Sequence, residues 1–164
     1  MKQNRKVQTE DIIYKEEIFP KVEMGALGVI IIAVVFLIFI TYPFLILSLL
    51  LPLAILIVFM YMFRKFIIKM TSDSIIVKYG FSKCTIPWEN IEGCYLDKTS
   101  AFWYGGWGLR MGRVNGKWRD IYNIIGFPRV VLSLKKDKFF KELVFSTKNP
   151  DQVMEVINKK INKV

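Results

Sequence analysis

The residues best suited to chemistry lie together near the middle of the chain, where an aromatic and glycine run leads into a set of cations. The run is Phe102-Trp103-Tyr104-Gly105-Gly106-Trp107-Gly108, and the cations are Arg110, Arg113, Lys117, Arg119 and Arg129. Trp and Tyr join apolar bulk to a polar edge, so Trp103, Tyr104 and Trp107 could enter a membrane interface or anchor a partner. Trp103 and Trp107 could instead plug the mouth of a small β-barrel. If alternate residues share a face, Arg113, Lys117 and Arg119 form one basic patch; solvated, scattered charge is the simpler alternative. Trp103, Tyr104, Trp107, Arg110, Arg113, Lys117 and Arg119 are therefore the candidate binding residues. Lys135, Lys136, Lys138 and Lys141 read as a solvated hairpin tip.

Other chemistries lack their residues. The chain has no histidine, which excludes Ser-His-Asp and Cys-His catalysis and the common zinc ligand sets. Cys84 and Cys94 form no C-x-x-C pair and read as small core residues. Asp73, Glu89, Glu92, Asp97, Asp120, Asp137 and Glu142 stand singly, without acid/base or metal-triad spacing. Neither phosphate-binding glycine motif is present. The expectation is a protein that is not an enzyme, with no catalytic residue, cofactor or metal.

What must position these residues begins with a hydrophobic stretch. Met24 to Phe63 carries no charge, and Pro43 lies near its centre. One straight helix of that length would reach about 60 Å, roughly twice the hydrocarbon thickness of a bilayer. Broken at Tyr42-Pro43, it predicts a transmembrane hairpin with spans at about 24–42 and 44–63. A shallow re-entrant hairpin and a buried helix pair are the alternatives. Lys15 and Lys21 precede the stretch and Arg64, Lys65 and Lys69 follow it, while the connection is uncharged. The positive-inside bias then predicts a multi-pass protein of the cell membrane with both termini cytoplasmic. Pro52 should kink the second span.

Charge is uneven along the chain. Residues 1–23 balance five Lys/Arg against five Asp/Glu, so the whole net charge of +10 belongs to residues 64–164. Three parts are expected: an N-terminal cytoplasmic segment 1–23, the hairpin 24–63, and a cytoplasmic domain 64–164. In the last, short β-candidates run from Phe66 to Met70, Ser74 to Tyr79, Lys83 to Ile86, Glu92 to Leu96, Leu109 to Met111, Trp118 to Ile125, Arg129 to Leu134 and Phe139 to Phe145. Asn115-Gly116 suits a two-residue hairpin turn. Asn149-Pro150-Asp151 starts a helix, and Val153, Val156, Ile157 and Ile161 give it one apolar stripe.

About seven antiparallel strands followed by a helix resemble the pleckstrin-homology superfold, and more closely the bacterial and archaeal membrane-anchored PH-like proteins of poorly characterised function. The resemblance is carried by Thr71-Ser72-Asp73-Ser74-Ile75, Ile86-Pro87-Trp88-Glu89-Asn90-Ile91, Trp107-Gly108-Leu109-Arg110 and Ser146-Thr147-Lys148-Asn149-Pro150-Asp151. It implies a small PH-like barrel with a C-terminal helix behind the membrane hairpin. Many PH domains read phosphoinositides through a basic first turn; Thr71-Ser72-Asp73 contains no cation, so that pocket is not supported. The functional expectation is a binding module at the cytoplasmic membrane surface that docks anionic lipid headgroups or a protein partner. The alternative is a structural accessory subunit assembled through the hairpin, or a homo-oligomer. Nucleic acid is the weaker reading of the basic excess.

Overall fold

In a computed structural model, the structure describes residues 11–40, 43–100, 106–114, 116–135 and 140–162, with backbone alone for 43–47. Trp103 and Tyr104 lie outside the described residues.

The chain opens with a strand. β1 (Ile12–Ile18) precedes two helices, α1 (Lys21–Ile40) and α2 (Pro43–Phe63), which pack on each other. The Pro20 carbonyl accepts the Met24 N–H at 2.9 Å and starts α1. Six further strands and a short 3-10 turn then alternate tightly: β2 (Phe66–Thr71), β3 (Ser74–Tyr79), β4 (Ser82–Pro87), the turn Trp88–Asn90, β5 (Ile91–Leu96), β6 (Gly108–Val114) and β7 (Lys117–Asn123). β8 (Arg129–Leu134), β9 (Glu142–Ser146) and α3 (Pro150–Ile161) complete the order.

The expected membrane hairpin followed by a single seven-stranded barrel is corrected on both counts. The strands form two sheets, one of four in the order β1-β2-β3-β4 and one of five in the order β5-β8-β9-β7-β6. The first sheet starts before the helices, because β1 pairs antiparallel with β2 from Ile18↔Phe66 to Ile12↔Thr71. The second is mixed, not purely antiparallel: β9 lies between β8 and β7 and runs parallel to β7.

The two-span reading and the multi-pass location with both termini cytoplasmic are corrected as well. Only α1, among the described residues, is long and apolar enough to cross a membrane. In α2 the described apolar stretch is the shorter Ser48–Phe63.

Between the sheets lies one core, built from the inward residues of each strand. Phe66, Ile68 and Met70 of β2 meet Ile75, Val77 and Tyr79 of β3, with Leu132, Leu143 and Phe145 opposite. α3 seats Val153 and Ile157 on the same core, packing on β5 and β8. Its N-terminus is ordered from behind, since Thr147 Oγ1 accepts the Asn149 N–H at 3.2 Å while the Asn149 side chain makes no capping bond. Trp88 joins two of the motifs read from sequence: its Nε1–H donates to the Thr71 carbonyl at 3.0 Å and its backbone N–H to that of Asp73 at 3.1 Å.

Two contacts fix the helices to the sheets. Gly80, at φ +59°, turns β3 into β4 beneath α2, and a Cβ there would lie 2.6 Å from the Phe63 ring. Only glycine combines that backbone conformation with that approach. On the other side, Glu23 in the first turn of α1 is buried and its Oε1 accepts the Ile125 N–H at 2.8 Å. The helices thus leave one end of the domain, called here the helix side.

Candidate functional site

The central cations do not form the expected patch. β6 and β7 pair with Val114↔Lys117 and Arg113↔Trp118 in register. Directly opposed residues share a face of the sheet. Arg113 therefore stands with Trp118 and Met111, whereas Lys117 and Arg119 stand on the opposite face with Arg110. Arg113 Nε instead donates to the Gly116 carbonyl across its own turn at 3.3 Å.

Arg119 is not available to a ligand. It is 3% exposed, and its Nε donates to Glu142 Oε2 at 2.6 Å. Lys117 Nζ reaches Glu142 Oε1 at 3.0 Å and the Tyr95 hydroxyl donates to the same oxygen at 3.1 Å. Arg119 Nη2 closes the ring by donating to the Tyr95 hydroxyl oxygen at 3.1 Å. Beside it, Arg129 Nε donates to Asp97 Oδ2 at 2.9 Å, and its other nitrogens to Asn123 Oδ1 and the Thr99 carbonyl.

Register explains the network: Glu142 lies between Ser133 and Arg119 on adjacent strands, so β9 carries a carboxylate directly to the arginine of β7. Burial raises the Glu142 carboxyl, but the hydrogen bonds from Lys117, Arg119 and Tyr95 outweigh it and hold it below the usual carboxylate range. Burial, then the Glu142 charge, pushes Tyr95 up to about 12, so it stays a phenol and a donor. A carboxylate saturated by three donors is a poor general base. The cluster is structural: it ties four strands of one sheet face and anchors Asp97 and Thr99, just after β5.

Free surface lies at the helix side. Phe81, in the turn after Gly80, is 71% exposed, and its ring meets Phe63 of α2 edge-on at 5.7 Å. Ile125, held against α1 through Glu23, is 37% exposed. Trp107 is 39% exposed, and the neighbouring Gly106 carbonyl accepts Asn123 Nδ2 at 2.6 Å, two residues before Ile125. Phe19, between β1 and α1, is also exposed. Cations accompany them: Lys21 and Arg64 are exposed at the helix bases, and the Arg64 guanidinium sits 4.3 Å from the centre of the Tyr61 ring. Lys15 and Lys65 pair with Glu17, which they hold below the usual carboxylate range.

Of the candidate residues, then, Trp107 joins this rim, Arg110 and Arg113 are exposed on opposite faces, and Lys117 and Arg119 enter the Glu142 network. Sequence reasoning passed over Phe81, Ile125 and Phe19. The available signal was a large apolar residue directly beside a turn glycine, in Gly80-Phe81 and Ile125-Gly126, where turns are ordinarily polar. Among the described residues, no group of three or more Cys, Asp and Glu side chains could hold a metal ion.

Comparison with family models, with curated proteins and with solved structures finds no match to this chain.

Proposed function

We propose that the protein is a membrane-anchored interaction module whose helix-side rim docks on an anionic lipid surface. One observation carries the reading: exposed Phe81, Trp107, Ile125 and Phe19 surround the base of the apolar helices, with Lys21 and Arg64 among them. A bilayer that holds α1 lies against these same turns. Exposed aromatic and aliphatic residues beside cations match the interfacial layer, where apolar groups meet headgroup phosphates. Each well-placed cation contributes about 1 kcal/mol of attraction to an anionic leaflet. The motif resemblance to membrane-anchored PH-like proteins supports a binding role over an enzymatic one, and kinship with that family is part of this proposal.

The test uses the full chain in lipid vesicles, with Cys84 and Cys94 replaced by Ser and a nitroxide placed at Phe81→Cys or Ile125→Cys. In vesicles containing phosphatidylserine, both labels become shielded from a water-soluble relaxation agent and accessible to oxygen. Labels that stay fully water-accessible on neutral and anionic vesicles alike overturn the proposal.

A further inference from the structure

The end of the domain away from the helices carries a basic groove that the rim does not explain. It is a concavity of about 560 Å³ lined by Lys117, Trp118, Lys135, Lys141, Glu92 and Ser133. Lys141 is fixed there by its backbone N–H, which donates to the Trp118 carbonyl at 2.8 Å, and Lys135 by its own to the Asn90 carbonyl at 2.9 Å. The Lys117 ammonium is engaged by Glu142. Those of Lys135 and Lys141 are exposed and have no side-chain partner among the described residues. Trp118 is half exposed, and Met111 is a diagonal neighbour of it on the same face of the β6–β7 hairpin.

Lipid is the wrong partner for this groove. β7 runs from Asn123 at the helix side to Lys117 at the groove, on the order of 20 Å at 3.3 Å per residue. The Debye length at physiological salt is about 8 Å, so a membrane against the rim exerts little pull on Lys135 or Lys141. Cations kept that far from the headgroups face the solvent and whatever dissolves in it. One feature favours a protein over a nucleic acid. Among the described residues Trp118 is the one aromatic lining the groove, where single-stranded nucleic acid uses several rings on which successive bases stack. A mixed surface of ammonium groups around one Trp suits an acidic peptide with an apolar side chain, since Trp is a frequent anchor at protein interfaces.

We infer that the groove around Trp118, Lys135 and Lys141 docks an acidic segment of a protein partner, so that the chain holds that partner at a distance from the membrane. This goes beyond the lipid-docking proposal and rests on it only for the placement of the membrane at the rim; peptide binding at the groove is read independently of lipid.

The test places the full chain in nanodiscs of neutral phosphatidylcholine and follows the anisotropy of two labelled probes. One is a decapeptide of glutamates flanking a Leu-Phe pair; the other is a ten-nucleotide oligothymidylate. The peptide binds, and Lys135→Glu with Lys141→Glu weakens it about tenfold or more, as for charge pairs at interfaces. Trp118→Ala also weakens it, whereas Lys21→Gln with Arg64→Gln at the rim leaves it unchanged. Lys135→Ala with Lys141→Ala serves where charge reversal disturbs folding, judged by near-ultraviolet circular dichroism. Three results overturn the inference: no peptide binding, peptide binding indifferent to the lysine variants, or tighter binding of the oligonucleotide through the same lysines.

Discussion

Glu23 and Ile125, 102 residues apart, are joined at 2.8 Å by a backbone N–H and a carboxylate oxygen. That bond ties the first turn of α1 to the β7–β8 turn, and it sets how the sheets meet the helices. The second oxygen of Glu23 is buried without a partner among the described residues, as is the Tyr79 hydroxyl. Burial, and then the Glu23 charge, pushes Tyr79 up to about 12.

Glu23→Ala leaves the Ile125 N–H without its acceptor and lowers stability by about 1–3 kcal/mol, with faster hydrogen exchange at Ile125. Tyr79→Phe removes a hydroxyl that makes no bond, so it changes stability by less than about 1 kcal/mol. A larger loss on Tyr79→Phe in denaturant titration would show that the hydroxyl has a partner after all.

Glu16 holds β1 to the far end of the chain. Its Oε2 accepts from Thr147 Oγ1 at 2.6 Å and from the Tyr14 hydroxyl at 2.8 Å, while Oε1 accepts the Lys148 N–H at 2.6 Å. Glu16→Ala is therefore expected to cost about 2–4 kcal/mol. Lys65→Ala, which removes only an exposed partner of Glu17, changes stability by less than about 1 kcal/mol. Equal effects of the two substitutions on the unfolding midpoint would contradict this ordering.

Arg119→Ala strands the buried Glu142 and is expected to cost about 3–5 kcal/mol. Arg119→Met combined with Glu142→Leu removes both charges and recovers most of that loss. Complete additivity in the double-mutant cycle would mean that the two residues do not act as a pair.

Stability depends on pH at both extremes. Tyr14, Tyr79, Tyr95 and Tyr122 are each raised from 10.0 to about 12, with burial the first cause. The folded state holds these protons more tightly, so the contribution is whole below pH 10 and is lost as pH rises from there towards 12. Glu142 is lowered, so its contribution is whole above its unfolded value of about 4.5 and is lost as pH falls through the folded one. Unfolding midpoints measured across pH 3–12 should form a plateau with two falling edges. A flat profile between pH 10 and 12 would contradict the tyrosine assignments.

Local signals in the sequence were readable where one element carried them whole. Asn149-Pro150-Asp151 and the Val153–Ile157 spacing locate α3, and the hairpin expected from Asn115-Gly116 is met by the pairing of Val114 with Lys117, Asn115 itself lying outside the described residues. β1 was hidden, because the inward position before Ile18 is Glu16, and a carboxylate there breaks the apolar alternation. Its acceptable burial depends on Thr147 and Lys148, more than 130 residues away. The basic patch failed for a geometric reason: counting alternate residues through a two-residue turn ignores the pairing that puts Arg113 opposite Trp118. The burial of Arg119 needed the insertion of β9 beside β7, a matter of topology that no local pattern encodes.

The pairing of Ile18 with Phe66 also orders events in time. β1 is synthesised first, yet its partner strand follows only after both helices, 48 residues later. At ordinary synthesis rates that is roughly 2–10 s during which β1 has no neighbour. The sheet can close only once α1 and α2 are made and have brought the chain back. A chain whose helices fail to assemble keeps an open, pairing-competent strand, so correct handling of the apolar segment acts as a checkpoint for the domain that surrounds it.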